Sequence, residues 1–236
     1  MQVRVLFFGS LRDIMGKSAD VISIPDGTSV SNLLQNFVRD KPALSALIPS
    51  LAVAVNEEYA ARDLILNHED EVGLLPPVSG GMDLKGEHCE LVSGVIDPLA
   101  YVAPLKRGED GAVVVFEGIV RNNSRGRKTM HMEYQAYDNM AVKQMDALVA
   151  QAKEKFSIDQ AKIIHRIGEL HIGEISVLII VTSPHRVAAF ESCRYLIDTL
   201  KKTVPIWKKE YFEDGVVWAD GEPFPDHITP SKQALS

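Results

Sequence analysis

Hydrophobic and polar positions in residues 1–81 predict a small domain in which strands surround one helix. Short apolar or alternating runs are separated by turn residues, which is the pattern of strands. Between the second and third runs, apolar residues recur at helical spacing up to about Arg39, and Thr28 or Ser29 can cap the start of that helix. The predicted strands are 2–8, 21–24, 51–55, 64–66 and 72–75. Their order is β-β-α-β-β, with a last strand that leads out to two glycines.

The same patterns predict a larger mixed domain in residues 82–236. Two long helices, at 139–156 and from about 187 to 202, alternate with strands, and Asp97 caps a short helix that starts at Pro98. Segment 82–87 is polar and is predicted to be unstructured. The predicted strands are 90–96, 111–120, 129–136, 163–167, a short segment between Gly168 and Gly173, 177–181, 206–212 and 216–218.

Between the two halves lies the segment Pro76-Pro77-Val78-Ser79-Gly80-Gly81, followed by Met82. Prolines end a strand because they lack an N–H, and glycines have no side chains and can lie extended in a narrow channel. Composition alone favours an interdomain linker. The alternative is a Gly-Gly tail that enters the active site of another protein, and the flanking halves must decide between the two.

Composition narrows the class of protein. The 236 residues suffice for two domains, and the absence of a long apolar run or a leader at Met1 predicts a cytoplasmic protein with no membrane partner. Two cysteines cannot form a metal cage, and no metal or cofactor is predicted. A net charge of −7 disfavours nucleic acid as a partner.

Residues 121–128 form a basic stretch without an acid, Arg-Asn-Asn-Ser-Arg-Gly-Arg-Lys, at the tip of a hairpin or in a longer loop. Such cations repel one another unless an anion binds, although a solvated loop is equally consistent with the pattern. An RNA-binding loop would need interleaved aromatic residues, and this stretch has none.

Two further groups of cations stand at the ends of the second long helix. His185 and Arg186 follow a buried strand and begin the helix, where free N–H groups favour an anion; a helix cap with a surface arginine explains them equally well. Lys201 lies in the last helical turn. In the next strand Lys208 and Lys209 alternate, so one of them points toward the protein, and a desolvated lysine near other cations has a lowered pKa. Pattern alone favours ordinary solvated lysines here, and His165 and His171 are interpreted as structural.

The first half resembles the ubiquitin-like β-grasp proteins, and in particular the small, sulfur-carrying subunit of molybdopterin synthase. The resemblance covers residues 1–81 and rests on Asp70-Glu71-Val72 followed by the Pro-Pro-Val-Ser-Gly-Gly segment. It implies that the carboxylate of Gly81 is adenylated by an ATP-dependent partner enzyme and converted to a thiocarboxylate. A β-grasp interaction domain without a sulfur role stays open on this half alone.

The second half resembles the large, catalytic subunit of molybdopterin synthase along about residues 110–218. The matching segments are 111–113, 116–122, 164–170, 183–186, 189–191, 200–201 and 205–210. The resemblance implies a homodimer through this domain and assigns roles to six residues. Lys201 and Lys208 match the catalytic lysines, Arg121, His185 and Arg186 match residues that bind the anionic phosphate and pterin, and Phe116 matches a pocket wall.

Together the resemblances imply an α+β protein that fuses both subunits, with a β-grasp domain at 1–81 and a larger, hammerhead-type α/β catalytic domain at 82–236. The implied reaction transfers sulfur from Gly81 to cyclic pyranopterin monophosphate and makes the molybdopterin dithiolene. Because Gly81 is bound to Met82 by an amide, cleavage after Gly81 is expected. A non-enzymatic dimeric adaptor is the alternative.

The sequence departs from the family pattern at two positions. Glu222 stands where the family often has an arginine that reaches into the neighbouring subunit's site, and Arg125 or Arg127 could take its place. Ile197 stands where the family has a pocket methionine.

Overall fold

The chain forms two compact units, and the computed structural model describes residues 1–76 and 84–219. Gly81, Met82 and Glu222 lie outside the described residues, as does most of the Pro-Pro-Val-Ser-Gly-Gly segment. Within the described part, no helix is long and apolar enough to cross a membrane.

The first unit is a five-stranded sheet with the order β2-β1-β5-β3-β4, in which β1 and β5 are parallel and the other neighbours antiparallel. Its elements are β1 (Gln2–Phe7), α1 (Ser10–Met15), β2 (Ala19–Ser23), α2 (Val30–Asp40), 3₁₀ turns at Pro42–Ala46 and Ile48–Ser50, β3 (Ala52–Val55), β4 (Glu58–Tyr59) and β5 (Glu71–Leu75). The apolar face of α2 packs on the sheet and buries Val30, Leu33, Leu34 and Phe37. This arrangement confirms the β-grasp prediction.

Two details of this unit bear on the sequence analysis. The Ser29 side chain accepts the N–H of Asn32 and caps α2, as predicted. The predicted strand at 64–66 is wrong, since the described structure has only an isolated bridge there, between Ser29 and Ile65. The carbonyl of Leu64 accepts an N–H from the first turn of α2 instead, so this segment serves the helix start rather than the sheet.

The second unit is larger and holds two sheets, in the orders β6-β7-β11-β13-β8 and β12-β10-β14-β15, with β9 paired to β10. Its elements are β6 (Leu84–Lys85), β7 (Cys89–Val92), α3 (Pro98–Val102), a 3₁₀ turn at Ala103–Leu105, β8 (Ala112–Ile119), β9 (Asn123–Ser124), β10 (Arg127–Ala136), α4 (Asp138–Phe156), β11 (Gln160–Arg166), β12 (Gly168–His171), β13 (Ile175–Ser183), α5 (Arg186–Thr203), β14 (Ile206–Phe212) and β15 (Gly215–Trp218).

The long helices α4 and α5 pack side by side on one face of the first sheet and enclose the main core. A smaller core under α3 covers the opposite face. The strand predicted at 90–96 ends earlier, at Val92, and the segment predicted to be unstructured contains β6. The mixed architecture agrees with the predicted α+β class.

Candidate active site

The start of α5 forms a shallow pocket of about 330 Å³ that is lined by Gly111, Pro184, His185, Arg186 and Val187. Ser183 ends β13, and its Oγ accepts the backbone N–H of His185 over 3.3 Å. His185 is the N-cap residue, in extended conformation, and its side chain does not cap the helix. The first N–H groups of α5 therefore face the pocket without a side-chain cap, which favours an anion there.

Lys201 lies at the opposite end of the same helix, in its last turn, and its side chain is exposed. The fifteen residues from Arg186 to Lys201 correspond to about 22 Å of helix. One chain therefore does not bring the His185-Arg186 pair and Lys201 together, although the resemblance assigns them to the same reaction.

Lys208 lies on β14 just beyond the junction that joins α5 to this strand. Its side chain is partly buried, as is that of Lys209, and it sits opposite Tyr134 of β10. Its ammonium lies 2.7 Å from the carboxylate of Glu210, which is buried on the same face. The predicted cationic neighbourhood is thus replaced by a carboxylate that neutralises and orients the amine.

Glu210 was given no role by the sequence analysis, although a signal was present. Residues two apart in a strand share a face, so the position of Lys208 on β14 places Glu210 beside it.

Phe116 and Arg121 belong to β8 and to the residues just after it. Phe116 faces Ile179 of β13 and is half-buried against the main core. Arg121 is exposed at the end of the strand. An aromatic side chain on β8 and a cation just after it are thus five positions apart.

The basic stretch 121–128 is pinned to the turn between β14 and β15. Arg127 donates to both carboxylate oxygens of Asp214, with the shortest contact at 2.7 Å, and its guanidinium stacks over Phe212 at 3.8 Å. The Lys128 ammonium pairs with Glu213. Asp214 and Glu213 thus neutralise two of the cations of this stretch, and no external anion is needed for those two. Asp214 also occupies Arg127, one of the two suggested replacements for the missing arginine.

Three of the cations that the resemblance assigns to substrate binding and catalysis differ from most other described cations. The side chains of Arg121, Arg186 and Lys201 form no ion pair, hydrogen bond or ring contact with any described residue, and among the described lysines and arginines only Lys106 shares this property. In a chain with net charge −7, unpaired cations at matching family positions are the groups available to an anionic ligand.

The histidines at 165 and 171 do not form a metal site. His165 is buried against Tyr134, its Nδ1 lies 2.8 Å from the carbonyl oxygen of Arg166, and burial lowers its pKa to about 4. His171 is exposed on β12. No group of three or more potential metal ligands occurs within residues 1–76 and 84–219.

Two family models match the chain. The MoaE protein model matches residues 91–203, and the ThiS family model matches residues 5–81. The first covers α5 and the pocket at its start, and the second covers the β-grasp unit together with Gly81.

Curated relatives match about half of this chain over most of their own length. The molybdopterin synthase catalytic subunit of Thermoplasma volcanium is 44% identical over 128 residues, which are 54% of this chain and 93% of the relative. That of Bacillus subtilis is 42% identical over 132 residues, 56% of this chain and 84% of the relative.

A solved structure agrees with these relatives. Molybdopterin synthase from Staphylococcus aureus superimposes with a TM-score of 0.55 at 41% identity and covers 58% of this chain and 98% of its own. The chain therefore belongs to the molybdopterin synthase catalytic subunit family, enzymes of molybdenum cofactor biosynthesis, and carries a ThiS-family sulfur-carrier domain in the same polypeptide.

Proposed function

We propose that this chain supplies both parts of a molybdopterin synthase: a carrier domain at 1–81 and a catalytic domain at 82–236. A thiocarboxylate on Gly81 would deliver sulfur to cyclic pyranopterin monophosphate, and the product would be the molybdopterin dithiolene. The observation that carries the proposal is a set of three cations, Arg121, Arg186 and Lys201, that have no partner among the described residues of an acidic protein, whereas every other described lysine and arginine except Lys106 has one. A substrate with a phosphate provides the anion that these groups lack.

The chemistry assigns different tasks to these groups. In one round the thiocarboxylate sulfur forms a C–S bond to the side chain of the pterin as a C–O bond of the cyclic phosphate breaks, and in the other round sulfur replaces a side-chain oxygen that leaves as water. In each round water hydrolyses the resulting thioester, which leaves the sulfur on the pterin and releases Gly81 as its carboxylate. Arg121, His185 and Arg186 hold the phosphate through charge-assisted hydrogen bonds, and Phe116 packs against the pterin. Lys201 and Lys208 move protons and stabilise the anionic acyl intermediate. Each product needs two sulfur atoms and therefore two rounds of carrier.

A homodimer completes the site in this proposal, because His185-Arg186 and Lys201 stand about 22 Å apart on one helix. The surface near the pocket supports self-association. Val187 and Phe190, one turn apart on α5, are each more than half exposed, and β8 lies at the edge of its described sheet, with β13 as its neighbour. A second copy would cover this surface and bring its own His185-Arg186 pair to the lysines of its neighbour.

An adenylating partner enzyme must act before sulfur transfer, since a carboxylate has to be activated before sulfur can replace one of its oxygens. The Gly81–Met82 amide is too inert for that activation. Cleavage after Gly81 is therefore part of the proposal, and the Gly-Gly tail then reaches the adenylating enzyme and the catalytic site in turn.

Mixed dimers test the proposal. Lys201→Ala and the double variant His185→Ala/Arg186→Ala should each be inactive in sulfur transfer. When the two chains are mixed and reassembled, activity should return to about a quarter of wild type, because half of the dimers are mixed and one of their two sites is intact.

The matched control mixes Lys201→Ala with Lys208→Ala. In this proposal one protomer supplies both lysines to a site, Lys201 from the last turn of α5 and Lys208 from β14, so these variants should not complement each other. If verified mixed dimers of the first pair stay inactive, the shared site is wrong. If Lys201→Ala alone keeps full activity, the catalytic assignment is wrong and an adaptor role gains support.

A further inference from the structure

The pocket at the start of α5 has a wall that no family role explains. Gly111, which precedes β8, lines the pocket together with Pro184. Its N–H donates to the carbonyl oxygen of Ser183 over 3.1 Å, which ties the segment before β8 to the end of β13. The two segments meet closely at this point because residue 111 has no side chain.

A methyl group at residue 111 would overlap the carbonyl oxygen of Pro184 and lie 3.3 Å from its carbonyl carbon. The obstacle is backbone rather than the end of a flexible side chain, so the backbone would have to move. The conformation of Gly111 is not left-handed, and the requirement for glycine is therefore one of space alone.

A displacement of the Pro184 backbone would also displace His185 and Arg186, the pair proposed to bind the substrate. The proline ring restricts rotation at Pro184, and the next residue, His185, is held by the hydrogen bond from its N–H to Ser183 Oγ. Ser183 is almost fully buried and cannot follow a displaced loop. Ser183 thus holds Gly111 with its carbonyl and His185 with its hydroxyl, and both sides of the pocket depend on it.

We infer that Gly111 and Ser183 are positioning residues for the anion pocket: Gly111 leaves the space for a phosphate, and Ser183 fixes His185 and the first turn of α5 around it. Neither group needs to touch the ligand, since the Gly111 N–H and the Ser183 carbonyl already bond to each other. The inference rests on the proposed function, in which this pocket binds the phosphate of the substrate.

Inorganic phosphate is a suitable probe because its binding does not depend on the state of the carrier. Its affinity for the full chain can be followed by phosphorus NMR titration. Gly111→Ala should weaken phosphate binding roughly tenfold, the equivalent of one lost charge-assisted hydrogen bond, and Gly111→Val should weaken it further. In single-turnover sulfur transfer, the same variants should raise the half-saturating substrate concentration and leave the maximal rate nearly unchanged.

Gly108→Ala is the matched control, because it lies in the same loop and a methyl group there meets nothing within 4 Å. It should bind phosphate as wild type does. Equal phosphate affinity in folded Gly111→Ala, Gly108→Ala and wild-type chains would overturn the inference.

Two further variants keep the result decisive. Ser183→Ala adds no volume and releases His185, so it should weaken phosphate binding even if Gly111→Ala folds poorly; unchanged affinity in this variant would refute the positioning role. The double variant His185→Ala/Arg186→Ala tests the proposed function itself. If it binds phosphate as wild type does, the pocket assignment fails; if only the Gly111 and Ser183 variants behave as wild type, the present inference alone fails.

Discussion

Lys201 and Lys208, the two lysines proposed for catalysis, have different electrostatic surroundings. Lys208 is held by the buried carboxylate of Glu210 at 2.7 Å, whereas Lys201 is exposed and meets no described acid. We expect a division of tasks: Lys208 stabilises negative charge as a fixed ammonium, and Lys201 is free to exchange a proton or attack a carbonyl.

Glu210→Gln tests this division at the scale of one residue. The amide keeps the size of the side chain but removes the charge that orients Lys208. The single-turnover rate of sulfur transfer should fall about ten- to a hundredfold, the usual cost of losing a charge-assisted bond at a reacting centre.

Glu213→Gln is the control for that measurement. Glu213 also binds a lysine, Lys128, but at the exposed turn between β14 and β15. Its loss should leave the rate unchanged. A wild-type rate in Glu210→Gln would remove the proposed role of the ion pair.

Sequence periodicity predicts which side chains are neighbours only when the residues are close in the chain. Alternation in β14 puts Lys208 and Glu210 on one face and could have found Glu210, but it does not choose between Lys208 and Lys209. It could not find the partner of Arg127, since Asp214 is 87 positions away and becomes a neighbour only when β10 pairs with β14. The isolated basic stretch therefore suggested an external anion where the chain supplies its own acids.

At the scale of elements, the hairpin of β6 and β7 shows how a tertiary contact orders a polar segment. Asp146 of α4 accepts the backbone N–H groups of Glu87 and His88, each over 2.9 Å. A side chain at Gly86 would overlap the Asp146 carboxylate. The hairpin therefore docks on α4 through its backbone. A contact of this kind leaves no hydrophobic periodicity in the sequence, so the pattern could not predict the hairpin.

Gly86→Ala should open this hairpin and expose Cys89. Burial, with a smaller contribution from Asp146, raises the pKa of the Cys89 thiol, so it should be inert to thiol reagents in the native protein. We expect labelling of Cys89 at least about tenfold faster in the variant, as a local opening eased by roughly 1.4 kcal/mol would give.

Cys193 serves as the internal reference in that experiment. Burial raises its pKa to about 11, and it lies on α5, away from the hairpin. Gly94→Ala, where a methyl group meets nothing within 4 Å, is the matched variant. Equal acceleration at both cysteines would indicate general unfolding and contradict the local account.

At the scale of the whole molecule, the union of two units in one chain sets a chemical requirement. A Gly81 thiocarboxylate needs a free carboxyl, and the sequence continues into Met82. The intact mass of the protein from its own cells should therefore show two fragments that meet at Gly81/Met82, the smaller shifted by exchange of oxygen for sulfur.

A Gly81→Val chain is the control, because a side chain at this position should hinder both cleavage and entry of the tail into a closed channel. It should remain one fragment and fail in sulfur transfer. A wild-type chain that stays uncut, yet makes product from substrate and a sulfur source alone, would refute the requirement.

The proposed site has two halves at opposite ends of α5, the His185-Arg186 pair and Lys201, and the sequence could not predict how they come together. The pattern predicted α5 and placed cations at both of its ends, and the structure places them there. The length of that helix already implied about 22 Å between them. Which surfaces of two copies meet could not be predicted, because a dimer contact has no periodic signature along one chain.

Joining carrier and catalyst in one polypeptide also fixes their ratio at synthesis to one carrier for each catalytic unit. A dithiolene contains two sulfur atoms, so a fully charged population holds only half the sulfur needed to give every site one product. Without recharging, the burst should stop at half an equivalent per chain. The steady rate of product formation would then equal half the rate at which spent carriers are reloaded with sulfur. The supply of molybdopterin would therefore depend on the supply of sulfur to the carrier.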